Sequence, residues 1–536
     1  MVKKRIFSFS CTLAIFSFSC LYGASVEFSP PEAPEEFASH LQATIEALKE
    51  DGERHIQLPA GRFLLSSQIR VPSNFRLSGA GPGVTVLEVA TPPEQDLIRV
   101  ENASEVTIDQ LSLVQTGERG KPKGAAIEIV HGSNAVKIQD VHTYGFRSGI
   151  SIGRDNNETP NSGIILRDCQ TQAALNFGIE VNDVRLLTID SCRASLNRLD
   201  GIKLRKNARN VTLMGGESSN NGVEGPNGNG LDAYAGGEAL VIENILVENN
   251  NGSGIYIKTG PLNDQDFGVV GRVQISGIRA RKNSGSGLDI NRSGGDSPDT
   301  NSDRIAVLPA HFLVVGGLYE ENGSGGIYVR GTDITLMGVI CRANAKSGIA
   351  LSTCWNVDII SPMVAFNGLS QPGTFPGITI GGPEGAHHVT VSGGFVQGAD
   401  VTTFRSGFDT PEEVTHSNAI YISKNSTDIL IERTKMTHYA QKGVPVRVRG
   451  ENQDQVIVHY GMVDSLERTG GAGSTCFFEN RHYVYVKQEN NQYAWLPETR
   501  SFALPAEQRP ANPKVGDMLY DTTLQKPLWW NGWEWQ

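Results

Sequence analysis

"NNNGSGIYIKTG" (249–260) carries the pattern that decides the fold. After Gly254, two isoleucines alternate with Tyr256 and Lys258. The pattern returns as "DGIKLRK" (200–206), "SGLDINRSG" (286–294) and "GGIYVRG" (325–331). Opening glycines stand at Gly149, Gly178, Gly201, Gly230, Gly254, Gly287, Gly326, Gly348 and Gly377, and the shortest intervals set a unit of about 22–24 residues. "AAIEIV" (125–130) and "AIYIS" (419–423) read as degenerate outer copies. A second strand-like run such as "VTLMG" or "LVIEN" lies between copies, and an asparagine precedes many glycines, from Asn197 and Asn221 to Asn344 and Asn367. A unit this short cannot bury its own apolar side chains, so units stack as parallel strands. Asn and Gly supply the turns, and stacked Asn side chains can form a ladder. Leucine-rich repeats share the length, but their leucine consensus is absent. The expected class is all-β: a right-handed parallel β-helix with an N-terminal helical cap and a small β-rich C-terminal region.

Strand side chains alternate between faces. Ile202, Leu204, Leu231, Ala233, Ile255, Ile257, Leu288 and Ile290 are expected inside the coil. The intervening positions then form two outward columns. One reads Ser151, Glu180, Lys203, Asp232, Tyr256, Asp289, Tyr328, Ala350, Thr379. The other reads Gly153, Asn182, Arg205, Tyr234, Lys258, Asn291, Arg330, Ser352, Gly381. Their ends are small and bland, while the middle coils carry acids, bases, amides and tyrosines. Long insertions follow this strand at 154–162, 259–271 and 292–311, and another precedes it at 223–229. Loops of that length in a repeat array are usually functional. The stripe is therefore expected to floor a groove. The competing reading is a charge ladder, Glu180–Lys203–Asp232, that only braces an exposed sheet.

The rest of the chain sets bounds. It has 536 residues, 60 of them glycine, and a net charge of −11, which argues against a nucleic-acid partner. "MVKKR" followed by an apolar run to Gly23 reads as a signal peptide, residues 1–24. This predicts a secreted, periplasmic or surface protein. An uncleaved anchor and lipid attachment at Cys20 are the lesser readings, and no later segment has the length and apolarity to span a membrane. Of seven cysteines, five follow the leader: Cys169, Cys192, Cys341, Cys354 and Cys476, an odd set with no CxxC pair and no implied disulfide framework or zinc site. Cys169 and Cys192 are expected to stack as buried apolar residues. Residues 30–85 would form the cap and first coils, 86–440 the β-helix, and 441–536 a β-rich end with Trp529, Trp530, Trp533 and Trp535. That Trp-rich end reads equally as a sugar platform and as a hydrophobic cap or homo-oligomer contact.

"HIQLPAGRFLLSSQIRVPSNFRLSGAGPGVTVLEV" (55–89) resembles the entry segment of the pectate-lyase-like superfamily of right-handed parallel β-helix proteins, which includes pectate lyases, epimerases and tailspike-like proteins. The resemblance covers about residues 35–440. The preceding "EEFASHLQATIEALKEDG" (35–52), with Phe37, Leu41, Ile45 and Leu48 at helical spacing, would be the cap. The resemblance implies polysaccharide binding or cleavage on the face described above. Specific enzyme signatures depart: "TYGFRSG" (143–149) lacks the Asp-Pro-His of alginate C5-epimerases, and "NRLDG" (197–201) only echoes the polygalacturonase Asn-Thr-Asp-Gly.

Chemistry narrows the reaction. Eliminating or epimerising a uronate needs a neutralised carboxylate, a base for the C5 proton and, for elimination, an acid for O4. Asp232, Lys258, Asp289 and Tyr256 are the candidate catalytic residues, and Glu180, Lys203, Arg205, Tyr234, Asn291, Arg292, Tyr328 and Arg330 the candidate substrate contacts. Lys258, placed between Asp232 and Asp289, is expected to stay charged and to need a desolvating substrate to act as base. Asp232 and Asp289, two coils apart, also suit a hydrolase. A non-catalytic glycan-binding adhesin is the third class. The sequence assigns no cofactor with certainty. Ca²⁺ is the metal that the loop acids Asp264, Asp266, Asp296, Asp299 and Asp303 would take, against the simpler reading of solvated acids.

Overall fold

One coil shows how the whole is built. Ile202–Leu204, Ala208–Met214 and Glu217–Ser219 are three short strands separated by sharp corners. The next coil repeats them as Leu231–Tyr234, Ala239–Glu243 and Leu246–Glu248, and each pairs in parallel with its equivalent. Three parallel sheets result. The structure, a computed structural model, describes residues 25–437 except 52–53, 91–93, 118–122, 155–158, 206–207, 226, 235–238, 260–271, 293–309 and 399–414, and beyond 437 a set of strands between 446 and 529.

The first sheet starts before the glycine pattern does, with Ile69–Arg70 and Ile98–Glu101 stacking under Ile127–Val130. It ends past "AIYIS", where Ile420–Ile422 pairs in parallel with Val446–Val448. Parallel stacking in the second sheet likewise reaches Val456–Met462. Antiparallel strands then follow in Thr475–Phe478, Arg481–Lys487 and Tyr493–Pro497. All eight apolar positions expected inside the coil are buried, as are Cys169, Cys192, Cys341 and Cys354, which are free thiols.

The helix Phe37–Asp51 covers the first coil. Phe37, Leu41 and Ile45 are buried, and Leu48 packs against the same core. Phe37 stacks on Phe63 with ring centroids 4.7 Å apart. The apolar face has no other coil to cover it at this end, so the helix supplies one.

Two features explain the repeat. Asn197, Asn221, Asn250, Asn283, Asn322, Asn344 and Asn367 form a buried ladder in which each Nδ2 donates to the next Oδ1 at 2.7–3.0 Å. From Asn221 onward the same Nδ2 also donates to a main-chain carbonyl, for example Asn283 to Val247 O at 3.1 Å. The opening glycines lie against this ladder. A β-carbon at Gly254 would stand 2.7 Å from Gly287 O and 2.9 Å from Asn283 Nδ2. The glycine is there for close approach, and the ladder amide is what it approaches. His416 ends the series: its Nε2 accepts from Asn367 N at 3.0 Å. Burial holds the His416 imidazole down to about 3, so it is neutral, as an acceptor must be.

Candidate functional site

Strand registry places the outward column as the alternation requires. Glu180, Lys203, Asp232, Tyr256, Asp289, Tyr328, Ala350 and Thr379 are successive Cα partners on the first sheet. Tyr234, Lys258 and Asn291 are partners in the second column. Outward does not mean exposed here: Glu180, Lys203, Asp232 and Arg330 are buried. Upstream the column is not bland either. It continues through Ser151 to Glu128 and Arg99, which lack the glycine opener that flagged the other copies.

The polar residues divide into linked groups. Glu180 accepts from Arg205 at 2.9 Å and lies 3.5 Å from Arg147. The Arg205 guanidinium is therefore engaged by a protein carboxylate. One coil on, Lys203 Nζ bridges Asp232 Oδ2 at 2.5 Å and Asp200 Oδ2 at 3.3 Å. Burial opposes the charge on Lys203, but Asp200 and Asp232 outweigh it and its pKa is raised. Asp200 was not legible as a site residue: it precedes Gly201 and reads as a turn acid. Its Oδ1 accepts from Asn229 N at 2.8 Å, which ties it into the wall of the stripe.

Lys258 Nζ reaches the same Asp232 Oδ2 at 2.9 Å. It lies 4.8 Å from the Tyr234 ring centroid and 4.9 Å from that of Tyr256. Its pKa is lowered: burial outweighs the attraction of Asp232, and Lys203 adds repulsion. Asp232 does favour the charged form, as expected, but burial works against it more strongly. Asp289 is a neighbour of a different kind. Burial pushes its carboxyl up to about 7, opposed only by Asn291. Asp289 Oδ1 and Asp232 Oδ1 are buried with no hydrogen-bond partner among the described residues. Tyr256 stands between the two acids in the column, and burial together with both of them raises its pKa. The centre thus combines an ammonium biased toward neutrality, a carboxyl biased toward its acid form and a phenol that keeps its proton.

Arg292 pairs with Thr259 at the strand end, but its side chain lies outside the described residues. So do the proposed Ca²⁺ loop acids, the leader and Trp530, Trp533 and Trp535. Among the described residues there is no cluster of metal-ligating side chains, and no helix long and apolar enough to cross a membrane. His387 and His388 sit in the strand Ala386–Ser392, with His387 stacked on Trp355.

Residues 125–303 match the family model described as "Right handed beta helix region". The chain folds as a right-handed parallel β-helix. A double mutant of the tailspike protein of E. coli bacteriophage HK620 is similar at a TM-score of 0.56 and 13% identity, over 88% of this chain and 88% of that one. The N-terminal fragment of bacteriophage Phi29 gene product 12 gives 0.51 at 14% identity, over 83% and 76%. The A-module of mannuronan C-5 epimerase AlgE4 from Azotobacter vinelandii gives 0.42 at 17%, over 77% and 94%. At these identities the likeness is one of fold. No curated protein matches the sequence.

Proposed function

We propose that this β-helix is a secreted carbohydrate-active enzyme, a lyase or epimerase of a uronate-containing polysaccharide bound along the outer face of the first sheet. The observation that carries the reading is the Lys258–Tyr256–Asp289 grouping, in which burial biases each group toward the form the chemistry needs. Neutral Lys258 takes the C5 proton. Asp289, as the acid, donates a hydrogen bond to the uronate carboxylate as negative charge moves onto it. In elimination, Tyr256 gives its proton to the departing O4 as the C4–O bond breaks and C4=C5 forms. In epimerisation, Lys258 keeps the C5 proton and Tyr256 delivers another to the opposite face of C5. Asp232 holds Lys258 in place through the 2.9 Å bond.

A hydrolase is the second reading. Asp232 and Asp289 share a column two coils apart, roughly 9–10 Å between backbones, near the carboxyl separation of about 6.5–9.5 Å in inverting enzymes. Asp289 would be the acid and Asp232 the base.

The test is the leaderless chain on polyuronates and neutral glycans, read for C=C absorbance, reducing ends and C5 configuration. New C=C absorbance or inverted C5 supports the proposal. Reducing ends without either move the assignment to hydrolysis. No product on any polyuronate or glycan would reject both enzymatic readings for those substrates and favour a binding protein.

A further inference from the structure

Farther along the same face lies a feature the catalytic reading does not use. A cavity of about 240 Å³ is lined by Tyr421, Ser423, Lys424, Asn425 and Arg449, together with the Gly382–Pro383 turn. Tyr421 belongs to the outward column that contains Asp289. The partners run Asp289, Tyr328, Ala350, Thr379, Tyr421 and then Arg447. Four strand spacings separate Asp289 from Tyr421, roughly 19 Å. Past Tyr328 and Arg330 the floor is low: Ala350 and Thr379 fill one column, Ser352 and Gly381 the other.

The cavity is built and braced. Asn425 Nδ2 donates to Pro383 O at 2.5 Å, and Ser426 Oγ donates to Ile380 O at 3.4 Å. Ser423 Oγ lies 3.2 Å from Ser426 Oγ. A β-carbon at Gly381 would meet both serine hydroxyls at 2.1–2.2 Å, so the turn depends on the missing side chain. Two cations line the cavity, and Arg447 is the next residue of the column. Among the described residues no acid lines it, and Glu384 beside it in sequence is exposed. This positive cluster stands on a chain whose net charge is −11. A local reversal of sign over a tyrosine ring recognises an anionic ring ligand.

We propose that the Tyr421–Lys424–Arg449 cavity is a second binding site for the same polysaccharide, taking the carboxylate of a uronate unit several residues along the chain from the Lys258–Asp289 centre. Arg449 and Lys424 receive the carboxylate, and Tyr421 presents its ring to the sugar face. The stretch over Ala350 and Thr379 lets the chain pass without side-chain contacts. The proposal rests on the acidic-glycan reading above for its ligand class, but not on catalysis.

The test uses the leaderless chain with Lys258→Met in all samples, so that binding is measured with turnover suppressed about 10³-fold or more. The probes are polygalacturonate and polymannuronate, as polymers and as trimers. Arg449→Glu and Lys424→Ala are expected to weaken polymer binding tenfold or more, to leave trimer binding at the central coils unchanged, and to flatten the salt dependence. The Tm of each variant controls for folding. Polymer binding that is unaffected in both variants overturns the second site and leaves the catalytic reading standing. Loss of trimer binding to the same degree overturns it too, since the effect would then not be local. Failure of the unmodified cavity to bind either polymer removes the ligand class. Polymer binding lost in Arg449→Glu, with no turnover by the wild-type chain, keeps the site and overturns the catalytic reading instead.

Discussion

Asp289 and Glu128 occupy the same outward column, and burial pushes both carboxyls up to about 7. Their surroundings differ. Glu128 also feels Asp96, is opposed by Arg154, and has one buried oxygen without a partner among the described residues. A carboxyl whose folded pKa lies above its ordinary value of 4.5 binds its proton more tightly in the fold. Its contribution to stability is complete below about pH 4.5 and is lost as pH rises through about 7. Glu128→Gln removes that dependence. Its stability relative to wild type is expected to rise between pH 5 and pH 8 by on the order of 1–3 kcal/mol, measured by urea unfolding at both pH values. At the centre the same logic separates two mechanisms. If Asp289 only donates a hydrogen bond, kcat/KM falls above about pH 7 in wild type, and Asp289→Asn loses that fall while keeping part of its rate. If Asp289 must deliver a proton to a leaving group, Asp289→Asn is inactive at every pH. Lys258→Met is expected to cost about 10³-fold or more in kcat in the lyase or epimerase reading, with a circular-dichroism melt to check folding.

At the level of the element, the repeat is held by amide, glycine and corner together. Asn283→Ala removes the side-chain oxygen that Asn250 N and Nδ2 donate to and the Nδ2 that donates to Val247 O and Asn322 Oδ1, while Asn250 Nδ2 keeps Ser218 O and Asn322 Oδ1 keeps the residue-283 main-chain N–H. Each buried loss costs about 1–3 kcal/mol, so a fall of roughly 3 kcal/mol or more in unfolding free energy is expected. Gly254→Ala should be comparable, because backbone and a fixed amide stand where its methyl would go. The double variant should cost less than the sum, since losing the Asn283 amide clears space for the methyl. These devices were legible in sequence because they recur: period, alternation and the asparagines all followed from spacing alone. What was not legible came from residues outside the period. Asp200 and Glu128 acquire meaning only when coils from distant sequence stack, and the lowered pKa of Lys258 depends on burial by Tyr234, Tyr256 and the coil below. Alternation gives the direction of a side chain but not what covers it. The strands Ile69–Arg70 and Ile98–Glu101 fall within the expected first coils and β-helix, but they carry no opening glycine and so stand outside the repeat pattern.

As a whole the molecule is a stack with two ends and no centre of its own. Each coil contacts only its neighbours, so a defect at an end spreads inward one coil at a time. The helix Phe37–Asp51 closes one end over Leu41 and Ile45. Ile45→Asp is expected to uncover that core, lower the unfolding midpoint and promote association, which light scattering during heating would register. The Asn ladder sets a further constraint. Its amides all donate in one direction and stop at His416. A coil can therefore be added or removed only in whole units upstream of His416, with each junction restoring the same amide contact. The molecule is in this sense a ruler with a fixed graduation. Splicing one coil between Tyr328 and Thr379 would move the Lys258 and Arg449 regions apart by about 4.8 Å without redesigning either. Nature or an engineer can thus retune the spacing between two stations on a sugar chain only in discrete clicks.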